Sequence, residues 1–297
     1  MADVAHAKPH HDYHLVNPSP WPVVGSVSAF VLAVGAIAYF KSRTGNTLPL
    51  FGGNLADAGP WIMLIGFAGV LYTMYAWWSD VVRESLTGDH TPVVKMHHRY
   101  GMILFIASEV MFFVAWFWAY FDQFFRHDDV EQYARVEFMG PTWPPNGVEL
   151  FDAFHLPLFN TLILLTSGTT VTWAHHALIH GDKRGLKYGL WLTVLLGAFF
   201  TCVQALEYSR AGFSYSGNIY GATFFMATGF HGFHVLIGTI FLSVCLARAY
   251  RDNLTQQHHL GFEFAAWYWH FVDVVWLFLF AAIYVWGSWG VPIHHGG

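Results

Sequence analysis

The 297-residue chain is 55% hydrophobic and 11% charged, whereas an ordinary soluble domain is about 25% charged, so too few charges remain to cover a water-facing globule. A net charge of -5 excludes the basic excess of a phosphate-dominated nucleic-acid interface. The two cysteines, Cys202 and Cys245, lie in apolar runs as expected core residues and make neither a disulfide framework nor a thiolate cluster.

The chain opens with a polar, His-rich tail, residues 1–20, lacking the apolar core and cleavage site of a secretory signal and expected to be retained. Its His6, His10, His11 and His14 form the densest group of near-neutral titrating side chains in the sequence. They read either as a proton-collecting tail beside an uptake route or as a solvated tail with adventitious metal affinity.

Seven segments then meet the requirement of about 20 mostly apolar residues for a spanning helix. They run from Pro22 to Phe40, Pro60 to Val82, Tyr100 to Phe125, Leu158 to His180, Tyr188 to Tyr208, Tyr220 to Ala247 and Leu260 to Trp286. Turn chemistry separates them, in TGNTLPLFGGN, GPTWPPNG and HGDKRG. The fold class is therefore all-α, an integral membrane protein of seven transmembrane helices. Aromatic residues, 19% of the chain, suit its two interfaces.

With the N-terminus inside, the inner connections carry Lys8, Arg83, Lys95, Arg99, Lys183, Arg184, Lys187, Arg248 and Arg251, and the outer ones Lys41, Arg43, Arg126, Arg135 and Arg210. The excess of cations on the first set predicts N-inside, C-outside.

Ionisable groups within a span are costly and mark candidate sites. Glu109 falls about 14 Å into the third span at 1.5 Å per residue. His231 and His234 share a face of the sixth span; His270 and Asp273 share one of the seventh, and Glu263 lies near its inner end. One reading makes the imidazoles haem or copper ligands; another makes Glu109 and His234 part of a proton pathway, for which the outer halves of the spans supply mainly Gln204 and Glu207, close to the surface; a third has the imidazoles bond neighbouring helices or pair with Glu109. No CxxCH attachment signal favours the first. Gly221, Gly229, Gly232 and Gly238 give the sixth span small-residue contact surfaces. At the inner end of the second, Trp77, Trp78, Arg83 and Glu84 fit interface anchoring or a phosphate-gripping lipid site, and Arg248 and Arg251 pose the same choice.

Five strings carry a resemblance: WWSDVVRESLTGDHTPVV from Trp77, RYGMILFIASEVMFF from Arg99, TWAHHALIHGD from Thr172, YGATFFMATGFHGFHV from Tyr220 and HHLGFEFAAWYWHFVDVVWLFLF from His258. Together they resemble subunit III of the haem-copper cytochrome c oxidases, from about Trp21 to Gly287. The resemblance implies a subunit with no cofactor of its own, bound phospholipid, and haem a, haem a3 and copper in partner subunits. Its partners would be subunits I and II, a small accessory subunit and a respiratory supercomplex.

It further implies three parts: residues 1–20 as the inner tail, 21–98 as helices one and two with their inner connection, and 99–297 as a five-helix bundle with the C-terminal tail, the two bundles forming a V-shaped lipid-filled cleft. Arg83 and Arg248 are similar to headgroup-binding arginines, with Trp78 and Glu84 beside the first, and Glu109 to the family's buried carboxylate. The implied role is support of proton uptake by subunit I, stabilisation of the complex and protection from turnover inactivation. Subunit III of a quinol oxidase and an independent proton or solute transporter are the alternatives. The expected location is a bacterial plasma membrane, N-terminus cytoplasmic and C-terminus periplasmic, with the mitochondrial inner membrane as the alternative.

Overall fold

A computed structural model describes residues 11–46, 48–50, 53–129, 136–137 and 140–289. His10 lies outside the described residues, as do residues 290–297 of the C-terminal tail. Seven long helices follow in order: α1 (Trp21–Arg43), α2 (Leu55–Thr87), α3 (Pro92–Phe125), α4 (Leu156–Ile179), α5 (Lys183–Ser209), α6 (Ile219–Tyr250) and α7 (Leu260–Leu279), the last continuing as a π-helix over Phe280–Trp286. Between α1 and α2, strands β1 (Pro49–Leu50) and β2 (Gly53–Asn54) pair antiparallel.

Several helices overrun the apolar stretch that announces them, because their ends are set by caps. Asn54 Oδ1 accepts the Ala56 N–H at 3.2 Å, starting α2 at Leu55 and leaving Pro60 inside the helix. Asp182 Oδ1 accepts the N–H groups of Arg184 and Gly185 at 3.0 Å each, which starts α5 five residues before Tyr188. Such caps satisfy donors that have no partner within the helix.

All of these helices except α4 are long and apolar enough to cross a membrane. The 24 residues of α4 extend about 36 Å at 1.5 Å each, so length is sufficient. Its hydropathy is lowered by Asn160, Ser167, two histidines and five threonines. Asn160, Thr161 and Ser167 are buried inside the protein, where a membrane helix can hold polar groups. The chain is a multi-span membrane protein.

The structure divides into two compact units, residues 1–97 and 98–297. In the first, α1 and α2 pack through residues with little or no side chain. A Cβ on Gly66 would run into the Leu32 backbone, one on Gly35 into that of Met63, and one on Gly59 into Tyr39 and Ala38. Tight backbone approach supplies the van der Waals contact that replaces the hydrophobic effect in lipid. Trp21 Nε1 donates to Asp80 Oδ2 at 2.6 Å and ties the two helices at one end.

The second unit is built around α4 to α7, with a core of large rings. Trp269 and Trp276 are fully buried, and their indoles donate to Ser167 Oγ and Thr161 Oγ1, both at 2.9 Å. Gly197 and Gly238 make room for the Trp269 ring. Cys245 is buried in this core, whereas Cys202, also expected there, is exposed because it lies on the outward side of α5.

Candidate functional site

The polar groups singled out in the sequence fall into separate places. Glu109, on α3, and His234, on α6, meet: Nε2 stands 2.7 Å from Glu109 Oε2. The other ring nitrogen, Nδ1, lies 2.6 Å from the Phe230 carbonyl oxygen. A carbonyl only accepts, so Nδ1 must carry a hydrogen and donate. The short Nε2···Oε2 contact then needs a proton of its own, on the imidazole or on the carboxyl. Phe112, Phe113, Phe271 and Tyr268 line the imidazole, while the Glu109 side chain is 24% exposed.

His231, three residues earlier on α6, is fully buried. Its Nε2 donates to the Val272 carbonyl at 3.2 Å, and its ring packs on Trp276 and Phe200 with centroids 5.0 and 5.8 Å apart. It joins α6 to α7. Glu263 receives a two-pronged grip from Arg99, whose Nε and Nη2 each approach a carboxylate oxygen at 2.9 Å. This two-bonded pair fixes the start of α7 against α3.

His270 and Asp273 are also neighbours, Nδ1 to Oδ2 at 3.5 Å, but differ in placement: the carboxylate is buried and the imidazole is 47% exposed. Thr172 of α4 completes the group, its Oγ1 lying 3.1 Å from His270 Nε2.

The candidate lipid residues lie at helix ends. Arg83, three-quarters exposed, is 3.1 Å from Asp80, and Trp78 is 61% exposed, both within the last three turns of α2. Glu84 faces His14 and His90, each at 3.9 Å. In the second unit, Arg248 occupies the last turn of α6 and lays its guanidinium against Gly261 at the start of α7. Its Nε is buried and unpaired.

The described part of the tail rests on the first unit. Thr91 Oγ1 donates to the Asp12 carbonyl at 2.5 Å, Tyr13 stacks on His97 at 6.2 Å, and His11 lies 5.8 Å from Tyr13.

One polar group near a helix end is buried inside the protein. Gln204 and Glu207, near the end of α5, are 5% and 1% exposed. Glu207 Oε1 accepts from Tyr284 Oη at 2.6 Å and from Gln204 Nε2 at 3.2 Å, and Asn160 Nδ2 donates to Gln204 Oε1 at 3.2 Å. The i, i+3 spacing of Gln204 and Glu207 is the available sequence signal. Tyr284 reaches them from the π-helical stretch, a rare form that re-aims side chains.

Among the described residues no three His, Cys, Asp or Glu side chains converge as a metal site. His231, His234 and His270 each bond a neighbouring helix.

The family described as "Cytochrome c oxidase subunit III" matches residues 11–288. A relative from Arabidopsis thaliana, named "Cytochrome c oxidase subunit 3", is 52% identical over 279 residues, covering 94% of this chain and 97% of its own length. Proteins of the same name from Oryctolagus cuniculus and Prototheca wickerhamii are 47% and 48% identical, each covering 94% of this chain and 98% of the relative.

Proposed function

Because the chain belongs to the cytochrome c oxidase subunit III family, and is thereby a subunit of an oxidoreductase complex, we propose that it acts there without a redox centre of its own, by holding phospholipid and supporting proton uptake. Haem a, haem a3 and copper belong, in this reading, to partner subunits, with subunits I and II as its neighbours. The names of the relatives favour cytochrome c over quinol as the electron donor. Their sources, a plant, a mammal and an alga, favour the mitochondrial inner membrane over a bacterial plasma membrane.

The observation that carries the reading is the use made of the embedded polar groups. His231 spends Nε2 on a backbone carbonyl, and His234 spends both nitrogens on Phe230 and Glu109. Imidazoles engaged in this way brace helices and hold protons. The Glu109–His234 pair holds one proton on its short axis, with aromatic rings around the imidazole, which supports the reading that this chain assists a proton-conducting neighbour. His11 and His14 add titrating groups at the first unit's tail.

Phospholipid is assigned to two helix ends. Arg83 and Trp78 offer a phosphate donor and an interfacial ring at the end of α2; Arg248 offers a second guanidinium at the end of α6. Ordered lipid there would hold adjoining helices during turnover and lengthen the working life of the complex. The test is the intact oxidase carrying Arg83→Ala and Arg248→Ala, with bound lipid counted by mass spectrometry and activity followed through sustained turnover. Fewer phospholipids and faster inactivation are expected. Unchanged lipid content would overturn the assignment.

A further inference from the structure

We propose that the end of the second unit where α4 begins and α5 ends holds internal water, bound to the Glu207 carboxyl and the Asn160 amide. The fold satisfies most hydrogen-bonding atoms at this place and has no group to satisfy the rest.

Four side chains from three stretches of the chain meet there. Asn160 comes from α4, Gln204 and Glu207 from α5, and Tyr284 from the π-helical continuation of α7. Their exposures are 0%, 5%, 1% and 2%. At 1.5 Å per residue, Asn160 lies about 6 Å from the start of α4 and Glu207 about 3 Å from the end of α5. The group is therefore closed off, yet within about one turn of the helix ends.

The carboxyl sets the direction of every bond in the group. Glu207 Oε1 accepts the Tyr284 hydroxyl at 2.6 Å and the Gln204 amide at 3.2 Å. Gln204 thus turns its nitrogen to Glu207 and its oxygen to Asn160, whose Nδ2 donates to it at 3.2 Å. Donors run one way along this chain, and an oxygen remains at each end. Asn160 Oδ1 and Glu207 Oε2 are both buried, and neither has a hydrogen-bond partner among the described residues.

Protonation does not complete the group. Ionised, Oε2 lacks a donor; protonated, it becomes a donor that lacks an acceptor, and Asn160 Oδ1 stays unmet in both states. Each buried atom without a partner bears its full desolvation penalty. A hard cation such as calcium takes six to eight oxygens, whereas this group offers two free ones. Water donates to an ionised carboxyl, accepts from a protonated one and donates to an amide oxygen. Buried waters typically make about three bonds to groups of this kind. Because Tyr284 and Gln204 both hold Oε1, water on Oε2 lets the carboxyl gain or lose a proton with its protein bonds intact. Glu207 then becomes an embedded carboxyl, besides Glu109, that can exchange a proton.

The experiment uses the intact oxidase. In an electron-microscopy map fine enough to show ordered water inside this chain, density is expected about 2.7–2.8 Å from Glu207 Oε2. Ordered water elsewhere in the interior with none at Oε2 would overturn the proposal. So would density about 2.3–2.6 Å from several oxygens at once, the spacing of a hard cation. Hydroxyl-radical footprinting gives an independent readout, since radicals formed from bound water oxidise the side chains beside it. Tyr284 should be oxidised despite its burial, whereas Trp269, also buried and with its indole bonded to Ser167, should not. Glu207→Leu should lose the Tyr284 label and Glu207→Gln, which can still bond water, should keep it. A Tyr284 as inert as Trp269, or a label that survives Glu207→Leu, would count against the site.

Discussion

The two units are held by different forces. In the first, α1 and α2 touch backbone to backbone at Gly35, Gly59 and Gly66, and Thr73 is the polar side chain buried between them. In the second, tryptophan indoles, threonine hydroxyls, His231 and the Glu207 cluster cross-link α4 to α7. Lipid removes the hydrophobic drive from both. The first unit replaces it with close contact, the second with contact plus hydrogen bonds that would cost more to leave unmade. A glycine-packed pair tolerates polar change at its surface but not added bulk. A hydrogen-bonded bundle tolerates small changes of bulk better than a lost partner.

The sharpest way to break this contrast is bulk in the first unit. Gly66→Val drives a side chain into the Leu32 backbone and is expected to cost about 3 kcal/mol or more, read as exposure of the α1–α2 pair to protease. Gly229→Ala on α6, where nothing lies within 4 Å of the added carbon, is the counterpart and should be neutral in the same assay. Next comes Trp276→Phe, which removes the indole bond to Thr161 and leaves a void in the second unit's core; a loss of about 2 kcal/mol is expected from thermal unfolding of the complex. Glu207→Leu should follow at about 1–2 kcal/mol, because the Tyr284 hydroxyl and the Gln204 amide lose their shared acceptor. Glu207→Gln, which keeps an oxygen, should recover most of it.

The smallest effect lies outside the membrane. Lys183 Nζ sits 2.7 Å from Asp252 Oδ1 and holds that carboxyl below its ordinary range, the side-chain bond counting most and the charge next. A depressed carboxyl stabilises the fold above its unfolded pKa of about 3.9 and loses that contribution as pH falls through the folded value. Both side chains are exposed, so the change is slight. Lys183→Met should reduce the acid sensitivity of the melting temperature between neutral pH and the carboxylate range, and an identical pH profile would remove this pair from the account.

Hydropathy made the helical stretches readable because a span must stay apolar for its whole length. All seven helices lie where the sequence puts them, α4 included, although its five threonines lower its hydropathy. The ends were less legible: α2 begins at an Asn54 cap, inside a stretch that composition assigns to a loop. Least legible were the partners. Arg99 and Glu263 are 164 residues apart, as are His270 and Thr172 by 98, and the rotation of one helix against another leaves no trace in either one's hydropathy. Its depth in the third span and the resemblance both pointed to Glu109, while its pairing with His234 was one reading among several until the fold set Nε2 beside Oε2. Glu207 likewise gains its partners from the fold: the Tyr284 hydroxyl, 77 residues away, reaches it beside the Gln204 amide.

In the proposed function, the Glu109–His234 pair supports proton uptake in a subunit without a redox centre of its own. Its most direct test is the oxidase with His234→Phe, followed by reduced-minus-oxidised optical spectroscopy and by proton uptake during turnover in the same preparation. Haem absorbance equal to that of the native complex, with slower proton uptake, is the predicted result. Loss of a haem band, or uptake at the native rate, would contradict it.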